Sequence, residues 1–284
     1  MRPEDYASEI LTDLGIVSFP INPLFITKEF DIEVLEADAD SYDGFLLRND
    51  SKTKIYLNKN ILSTGRKNFT LAHEIGHYCI PTHRGNYQCI TRYLNPFKKN
   101  PLVEIEANKF ASELLLPERL LKPILHTYKP DFESIGELSE DCGTSLTATA
   151  IKFALLTDDC CALIATANNK IKWFQKSPSF PDEYYIKKDE AISYGTLTAA
   201  YSLDGVLKES DTQKVHASYW FNGRGIDNAT TLIESCVPMI YYGVVLTMLW
   251  FPEPPFDVQG PSEDDAEYRY EADKNAWRWR DPEE

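Results

Sequence analysis

An α+β fold is predicted for this chain, with a small sheet and two helices that could carry a functional site, then a helical linker and a mixed α/β C-terminal domain. Three observations support this prediction. Short β-rich runs separated by turn residues occupy the region before residue 60, apolar residues recur at helical spacing in 69–80 and 103–115, and β-rich runs return after residue 159. With 284 residues, 43% of them hydrophobic, the chain can bury two cores.

The N-terminal region is predicted to contain one helix and three strands. Residues 5–14 have helical periodicity, and the expected strands are Ile32–Leu35, Phe45–Leu47 and Lys54–Asn58. Residues 49–51, with the sequence Asn-Asp-Ser, form the turn between the last two strands. These elements precede the most informative segment of the chain.

That segment contains two histidines one helical turn apart with a glutamate beside the first. At 3.6 residues per turn, His73 and His77 project from the same side of a helix, so both imidazoles can bind one metal ion. Neutral imidazole is a good zinc ligand, and zinc lowers the pKa of a bound water to about 7. Glu74 can then accept a proton as that water attacks a carbonyl carbon.

The residues around the histidines favour a functional site over coincidence. Phe69, Ala72, Gly76 and Ile80 form an apolar stripe, and the histidines and Glu74 follow at its edge. The three polar side chains should therefore line a cleft. Glycine weakens a helix by about 1 kcal/mol relative to alanine, so Gly76 is predicted to permit close packing beside the metal.

A catalytic zinc site needs a third protein ligand, and Glu104, Glu106 and His83 are the candidates. Glu104 falls within the apolar face of a second predicted helix, over residues 103–115, whereas Glu106 falls on the opposite side with Lys109 and Glu113, which indicates a solvated stripe. A buried carboxylate is costly unless it is paired or binds a metal. This favours Glu104 as ligand with Asn108 as its neighbour in the site, the alternative for Glu104 being a salt bridge.

His83 lies six residues after the second histidine, which is the ligand spacing of metzincins. That pattern requires glycine where this chain has Ile80, although Pro81 ends the helix soon afterwards. His83 is therefore expected to be a loop histidine near the rim of the cleft or an exposed one, with the role of third ligand as the alternative.

Two blocks of this sequence together resemble the ImmA/IrrE family of zinc metallopeptidases. The first is Asn68–His77, and the second is Glu104–Pro117, with the sequence EIEANKFASELLLP. The resemblance implies a zincin-like metallopeptidase domain over residues 1–125 with His73, His77 and Glu104 as metal ligands and Glu74 as catalytic base. The metal would be Zn²⁺, with Mn²⁺ as the alternative.

The same resemblance implies a cytoplasmic endopeptidase of narrow specificity, encoded by a bacterium or a mobile element. The expected partner is a helix-turn-helix transcriptional repressor, whose cleavage would release a stress-response or element-transfer programme. In such a peptidase the strand before the metal-bearing helix can pair with an extended substrate, so Lys54–Asn58 is predicted to do so. The alternative is that the chain's own strands cover that edge.

Residues 126–158 are predicted to form a helical linker. Two helices joined by a tight turn at Cys142–Gly143 resemble a DNA-binding helix-turn-helix. The second helix, residues 145–156, has Lys152 as its one positive side chain, whereas phosphate binding needs several. A structural linker is therefore favoured.

The C-terminal half is predicted to contain a mixed α/β domain and an acidic tail. Cys161–Thr166, Lys170–Phe174 and Ile240–Phe251 are expected strands of a domain over residues 159–252, similar to the sensor-like domains that follow some peptidases of the family. Residues 253–284 contain 11 acidic and 4 basic side chains, and the whole chain has a net charge of −15. This charge disfavours binding to nucleic acid or an anionic membrane.

Other features favour a cytoplasmic enzyme. The N-terminus has no apolar signal stretch, the apolar run Met239–Phe251 is too short to span a bilayer, and the six cysteines contain no CxxC pair and are expected to be reduced. A non-catalytic, metal-containing regulator that acts by protein binding is the alternative, although it would not need Glu74. A zinc deaminase lacks support because its HxE and PCxxC elements are absent.

Overall fold

A computed structural model describes residues 1–38, 42–49, 52–83, 87–89, 101–186, 191–204, 211–223, 226, 230–239 and 243–253. The chain forms two compact units. The N-terminal unit comprises residues 1–123 and 138–149, and the C-terminal unit comprises residues 124–137 together with the chain from residue 150 onward. The domain boundaries predicted from the sequence remain predictions.

The mixed α/β character predicted from the sequence is confirmed. In order, the elements up to residue 156 are α1 (Pro3–Asp13), α2 (Pro23–Glu29), β1 (Ile32–Ala37), β2 (Gly44–Arg48), β3 (Thr53–Asn58), α3 (Thr64–Cys79), β4 (Tyr87–Cys89), α4 (Pro101–Leu115), α5 (Glu118–Leu125), α6 (Phe132–Cys142) and α7 (Leu146–Leu156).

Side-chain caps fix where the N-terminal helices begin. Asn22 accepts a hydrogen bond from the amide of Leu24 at 3.0 Å and precedes a proline at the first position of α2, a helix that the sequence analysis missed. Ser63 accepts from the amide of Arg66 at 3.4 Å and starts the histidine-bearing helix α3. The observed helix α3 therefore begins earlier than the helix predicted around residues 69–80.

The first sheet has the strand order β1-β3-β2-β4. Strand β3 pairs in parallel with β1, Ile32 opposite Thr53, and antiparallel with β2, Gly44 opposite Leu57. Both edges of β3 are therefore occupied by the chain's own strands. The prediction that Lys54–Asn58 pairs with a substrate is wrong, because the long-range parallel pairing with β1 covers the edge that a peptide would need.

The core of the N-terminal unit lies between this sheet and helices α1, α3 and α4. Leu46 and Ile55 from the sheet and Leu71 and Ile75 from α3 are at most 2% exposed and belong to one apolar cluster. This burial fixes the rotation of α3 about its axis, because burying Leu71 and Ile75 determines where the neighbouring side chains point.

The N-terminal end of α3 packs tightly against the loop between α6 and α7. The Asn68 side-chain amide donates to the carbonyl of Gly143 at 2.9 Å. A Cβ atom added to Gly65 would overlap the carbonyl carbon of Thr144 and would lie 2.5 Å from the nitrogen of Ser145. Both neighbouring atoms belong to the backbone, so they cannot move aside by a rotamer change.

We expect Gly65→Ala to destabilise the N-terminal unit. Overpacking of this kind costs about 1–3 kcal/mol, which outweighs the gain of about 1 kcal/mol in helix propensity. Urea unfolding followed by circular dichroism measures the effect. Gly136→Ala, in α6, is the matched control because an added Cβ there has no neighbour within 4 Å. Equal stability of the two variants would contradict the prediction.

Helices α6 and α7 confirm the predicted pair of helices joined by a tight turn, while their role as a linker stays a prediction. Gly143 has φ +65°, a left-handed conformation that favours glycine, and the hydroxyl of Ser145 accepts from the amide of Ala148 at 3.3 Å at the start of α7. Residues 147–154 of α7 are all buried, including Lys152 at 7% exposure. A helix buried on every side has no face for a DNA groove, which supports the structural-linker interpretation.

The C-terminal unit contains a five-stranded antiparallel sheet, together with α8 (Leu197–Asp204) and the parts of α6 and α7 that fall within its bounds. Its elements are β5 (Cys161–Ala167), β6 (Lys170–Lys176), β7 (Tyr185–Ile186), α8 (Leu197–Asp204), β8 (Asp211–His216), β9 (Phe221–Asn222), β10 (Thr231–Met239) and β11 (Val244–Trp250). The sheet order is β6-β5-β11-β10-β8. The predicted strands at 161–166 and 170–174 are confirmed, and β10 was missed. The predicted strand at 240–251 is confirmed over Val244–Trp250, and its residues 240–242 lie outside the described ranges.

A buried carboxylate fixes α8 to this sheet. Glu234, on β10, is 0% exposed and accepts from the backbone amides of Leu197 and Thr198 at 3.0 and 3.1 Å. Its carboxylate also accepts from the side chains of Thr198 at 2.7 Å and Gln213 at 3.0 Å. The first turn of a helix stabilises negative charge, so these donors offset the cost of burying the carboxylate.

Several expectations concern residues outside the described ranges. The acidic tail is described only at Glu253.

The cysteines that the structure describes, apart from Cys89, form no disulfide. Burial raises the pKa of the Cys79 and Cys142 thiols to about 12. None of the helices in the described part of the chain has the length and apolar character needed to cross a membrane.

Candidate metal centre

Helices α3 and α4 approach closely at Gly76. A Cβ atom at this position would lie 3.0 Å from the ring of Phe110 and 3.2 Å from its Cβ. The prediction that Gly76 permits close packing is therefore confirmed. This contact brings the histidines of α3 next to the first turns of α4.

Three donor side chains from these helices converge. The Nε2 atoms of His73 and His77 are 3.0 Å apart, and the Glu104 carboxylate lies 3.5 Å from the first and 3.9 Å from the second. His73 is 7% exposed and His77 is 0% exposed. These three residues form the only group of histidine, cysteine and carboxylate side chains among the described residues that could hold a metal ion.

The hydrogen bonds on the far side of each ring indicate which nitrogen carries the proton. Nδ1 of His73 lies 2.9 Å from the side-chain oxygen of Asn108, which can only accept a hydrogen bond, so Nδ1 carries the proton. Nδ1 of His77 lies 3.1 Å from Nδ1 of His83. With both Nδ1 atoms protonated, the two Nε2 lone pairs face each other and the Glu104 carboxylate. Three electron-rich atoms so close together repel one another unless a cation lies between them.

The pKa of His73 is also consistent with a site that attracts positive charge. Burial alone lowers this pKa, but the hydrogen bond to Glu104, the negative charges of Glu74 and Glu104, and the bond to Asn108 outweigh it, so the pKa is raised. The carboxylates around His73 therefore favour positive charge at this ring.

The donor spacing fits a zinc ion. Zn–N and Zn–O bonds are about 2.0–2.2 Å, which gives about 3.3–3.6 Å between neighbouring ligands of a tetrahedral ion. The observed separations of 3.0, 3.5 and 3.9 Å bracket this range. Two imidazoles and one carboxylate leave the fourth position open, as in catalytic rather than structural zinc sites.

Glu74 is packed under the neighbouring strand. It is 0% exposed, and a Cβ atom added to Gly44 of β2 would lie 2.8 Å from its Oε1 and 2.6 Å from Cγ2 of Thr70. The carboxylate is thus held at the site by its own helix and by a strand that passes without a side chain. Sequence reasoning did not identify Gly44, because a glycine at the start of a strand gives no sign of what it faces.

The other two ligand candidates lie elsewhere. Glu106 is half-exposed and its Oε2 is 2.8 Å from Nε2 of His83, which is 0% exposed. The expectation of an exposed or rim histidine is wrong, since the ring is fully buried behind His77. Glu113 is also not in a solvated stripe: it is 6% exposed and accepts from Ser8 at 3.3 Å and from the amide of Glu118 at 3.0 Å.

This combination of a small mixed sheet, a helix with the HExxH pattern and a glutamate from the next helix defines a metallopeptidase-like protein. Residues 27–153 match the family described as the IrrE N-terminal-like domain, and this match supports the assignment to the ImmA/IrrE family. The resemblance stated from the sequence is therefore confirmed.

No curated protein matches the chain. Among solved structures, a Mycobacterium tuberculosis transcriptional regulator is similar, with a TM-score of 0.56 at 12% identity over 87% of this chain and 75% of that chain. At this identity the likeness shows the fold alone.

Proposed function

We propose that this protein is a zinc-dependent regulatory endopeptidase that cleaves a specific protein substrate. The observation that carries the proposal is the convergence of His73, His77 and Glu104, with the buried carboxylate of Glu74 on the same helix as the two histidines. A purely structural metal site would not need a base and would close its fourth ligand position. A metal held here would act as a Lewis acid toward the scissile carbonyl and a water molecule.

The protein's own side chains then have distinct roles. His73 and His77 bind through Nε2, and Glu104 contributes its carboxylate. Glu74 is the general base that takes the proton from the attacking water and then delivers it to the leaving amine. Burial of Glu74 keeps its proton from exchanging freely with solvent while the peptide bond is broken.

The substrate is proposed to be a helix-turn-helix transcriptional repressor in the cytoplasm. The family match and the net charge of −15 support this, since regulation through another protein does not require the chain to approach nucleic acid. The described thiols without disulfides are consistent with a reducing compartment.

The test is to incubate the purified full-length chain with repressors encoded beside its gene and to identify fragments by mass spectrometry. The protein is stripped with a chelator and then reloaded with Zn²⁺ or Mn²⁺. Cleavage at one site, lost on stripping and restored by reloading, supports the proposal and identifies the working metal. Binding of a repressor without cleavage under any loading would favour a non-catalytic regulator.

Gly44→Ala tests the packing of the base. The added methyl would displace the Glu74 carboxylate, and a misplacement of about 1 Å can cost about 10²-fold in rate. We expect kcat to fall about 10- to 100-fold with zinc content unchanged, because the atoms that the methyl would meet belong to Thr70 and Glu74 and not to the three donors. Gly136→Ala is again the control, and wild-type kcat in Gly44→Ala would contradict the prediction.

A further inference from the structure

We propose that His83 and Glu106 are positioning residues that hold the imidazole of His77 in the tautomer and orientation required for metal binding. The inference rests on the proposed metal site and is independent of proteolysis. It gives a role to two residues that the sequence analysis considered as alternative third ligands and expected to be a rim or exposed histidine and a solvated glutamate.

The geometry gives the direction of each proton. An ionised carboxylate can only accept, so Nε2–H of His83 donates to Glu106 across 2.8 Å. Nδ1 of the neutral His83 ring is then an acceptor, and it receives Nδ1–H of His77 across 3.1 Å. His77 is left with a lone pair on Nε2, the atom that faces His73 and Glu104.

Burial makes this arrangement demanding. His83 is 0% exposed, and a ring nitrogen buried in this way destabilises the protein if it has no hydrogen-bond partner. The relay His77–His83–Glu106 gives each nitrogen of the His83 ring a partner of the matching kind. The opposite tautomer of His83 would direct a proton at His77 and leave Glu106 facing a lone pair.

The backbone that carries His83 is fixed independently. Arg48 donates to the carbonyl of His83 at 3.1 Å and to the carbonyl of Tyr78 at 2.9 Å, and it also donates to the carbonyl of His77. The amide of His83 donates to the carbonyl of Ile80 at 3.0 Å. One guanidinium therefore joins the end of the histidine helix to the residue that supports it.

The two histidine ligands are thus supported differently. His73 donates to the neutral amide of Asn108, whereas His77 donates into a relay that ends on a carboxylate. A carboxylate at the end of such a relay makes the ligating nitrogen more basic, because it stabilises partial positive charge on the ring. His77 is consequently the stronger of the two imidazole donors.

The test compares the zinc affinity of purified variants by competition with a chromophoric chelator, together with the visible spectrum of the Co²⁺ form. Removal of a residue that orients a metal ligand lowers metal affinity about 10- to 100-fold. We expect this loss in His83→Leu and a smaller one in Glu106→Ala. We expect partial recovery in His83→Gln, which can still accept from His77, and in Glu106→Gln, which can still accept from His83.

Glu118→Ala is the matched control, since it removes an exposed carboxylate of the same unit. Should His83→Leu fail to fold, the two Glu106 variants carry the test, because this half-exposed side chain leaves no buried cavity. Wild-type zinc affinity and an unchanged Co²⁺ spectrum in folded His83→Leu, or in Glu106→Ala, would overturn the inference.

No peptide substrate enters this measurement, so its outcome is separate from the test of proteolysis. Normal affinity in His83→Leu together with loss of zinc in Glu104→Ala overturns only the positioning role. Normal affinity in both variants overturns the metal site and the positioning role together. Weakened affinity in His83→Leu with no cleavage of any repressor supports the inference and rejects the proposed peptidase.

Discussion

Glu74→Gln is expected to abolish measurable cleavage while the protein retains its zinc. The substitution keeps the size and burial of the side chain but removes its ability to accept a proton, and general-base catalysis contributes about 10²- to 10⁴-fold. The rate constant for cleavage of a full-length repressor, measured under single-turnover conditions, gives the loss directly. Metal analysis of the same sample shows whether the donors are intact.

Two features make this comparison informative. Glu74 is 0% exposed, so an isosteric replacement avoids the cavity that Glu74→Ala would create. Glu118→Gln, at an exposed carboxylate, is the matched control and should cleave like wild type. Wild-type cleavage by Glu74→Gln would remove this residue from the mechanism even if the metal site proved correct.

Glu104→Ala is expected to lose the metal itself. Two imidazoles remain, and a catalytic zinc site is built on three protein ligands. Mass spectrometry of the native protein should show zinc falling from about one ion per chain to a small fraction, with cleavage lost in parallel. The fold should persist, since Glu104 is not part of the apolar core of its unit.

The control for this experiment is Glu106→Ala, two residues along the same helix. It is expected to weaken zinc binding but to retain stoichiometric metal when zinc is in excess. Full zinc content in Glu104→Ala would show that another side chain completes the site, and zinc loss in Glu106→Ala alone would identify that residue as the ligand.

Local patterns predicted the parts of this molecule that depend on neighbouring residues in the sequence. The spacing of His73 and His77 and the apolar face around Glu104 were sufficient to place three donors on two helices, and the structure brings them together. The strands before residue 60 could be predicted because apolar and polar residues alternate in them and turn residues mark their ends. The order of these strands in the sheet could not be predicted from the sequence.

Long-range contacts account for what the sequence did not reveal. Strand β3 was expected at an edge, but β1 pairs with it from more than 20 residues upstream, and no local pattern encodes that pairing. The helical spacing of Glu113 from Glu106 and Lys109 predicted a solvated side chain. Glu113 is nevertheless buried and accepts a hydrogen bond from Ser8 of helix α1, which is distant in the sequence. His83 follows Pro81, which ends the helix, so it belongs to no helix or strand whose periodicity could indicate whether its side chain is buried.

The C-terminal unit shows the same limit. Strand β10 contains Glu234 and Pro238, two residues that weaken a strand prediction. The carboxylate is accommodated because the amides of α8 surround it. Only the folded unit supplies those amides, so the signal for this strand is not local.

The contact between the N-terminal end of α3 and the loop at residues 143–145 has a consequence for folding during synthesis. The histidine helix is complete in the sequence at residue 79, but the Gly143 carbonyl that Asn68 binds lies 75 positions after Asn68. On the ribosome, the first part of this unit must therefore wait for its last segment before it can close.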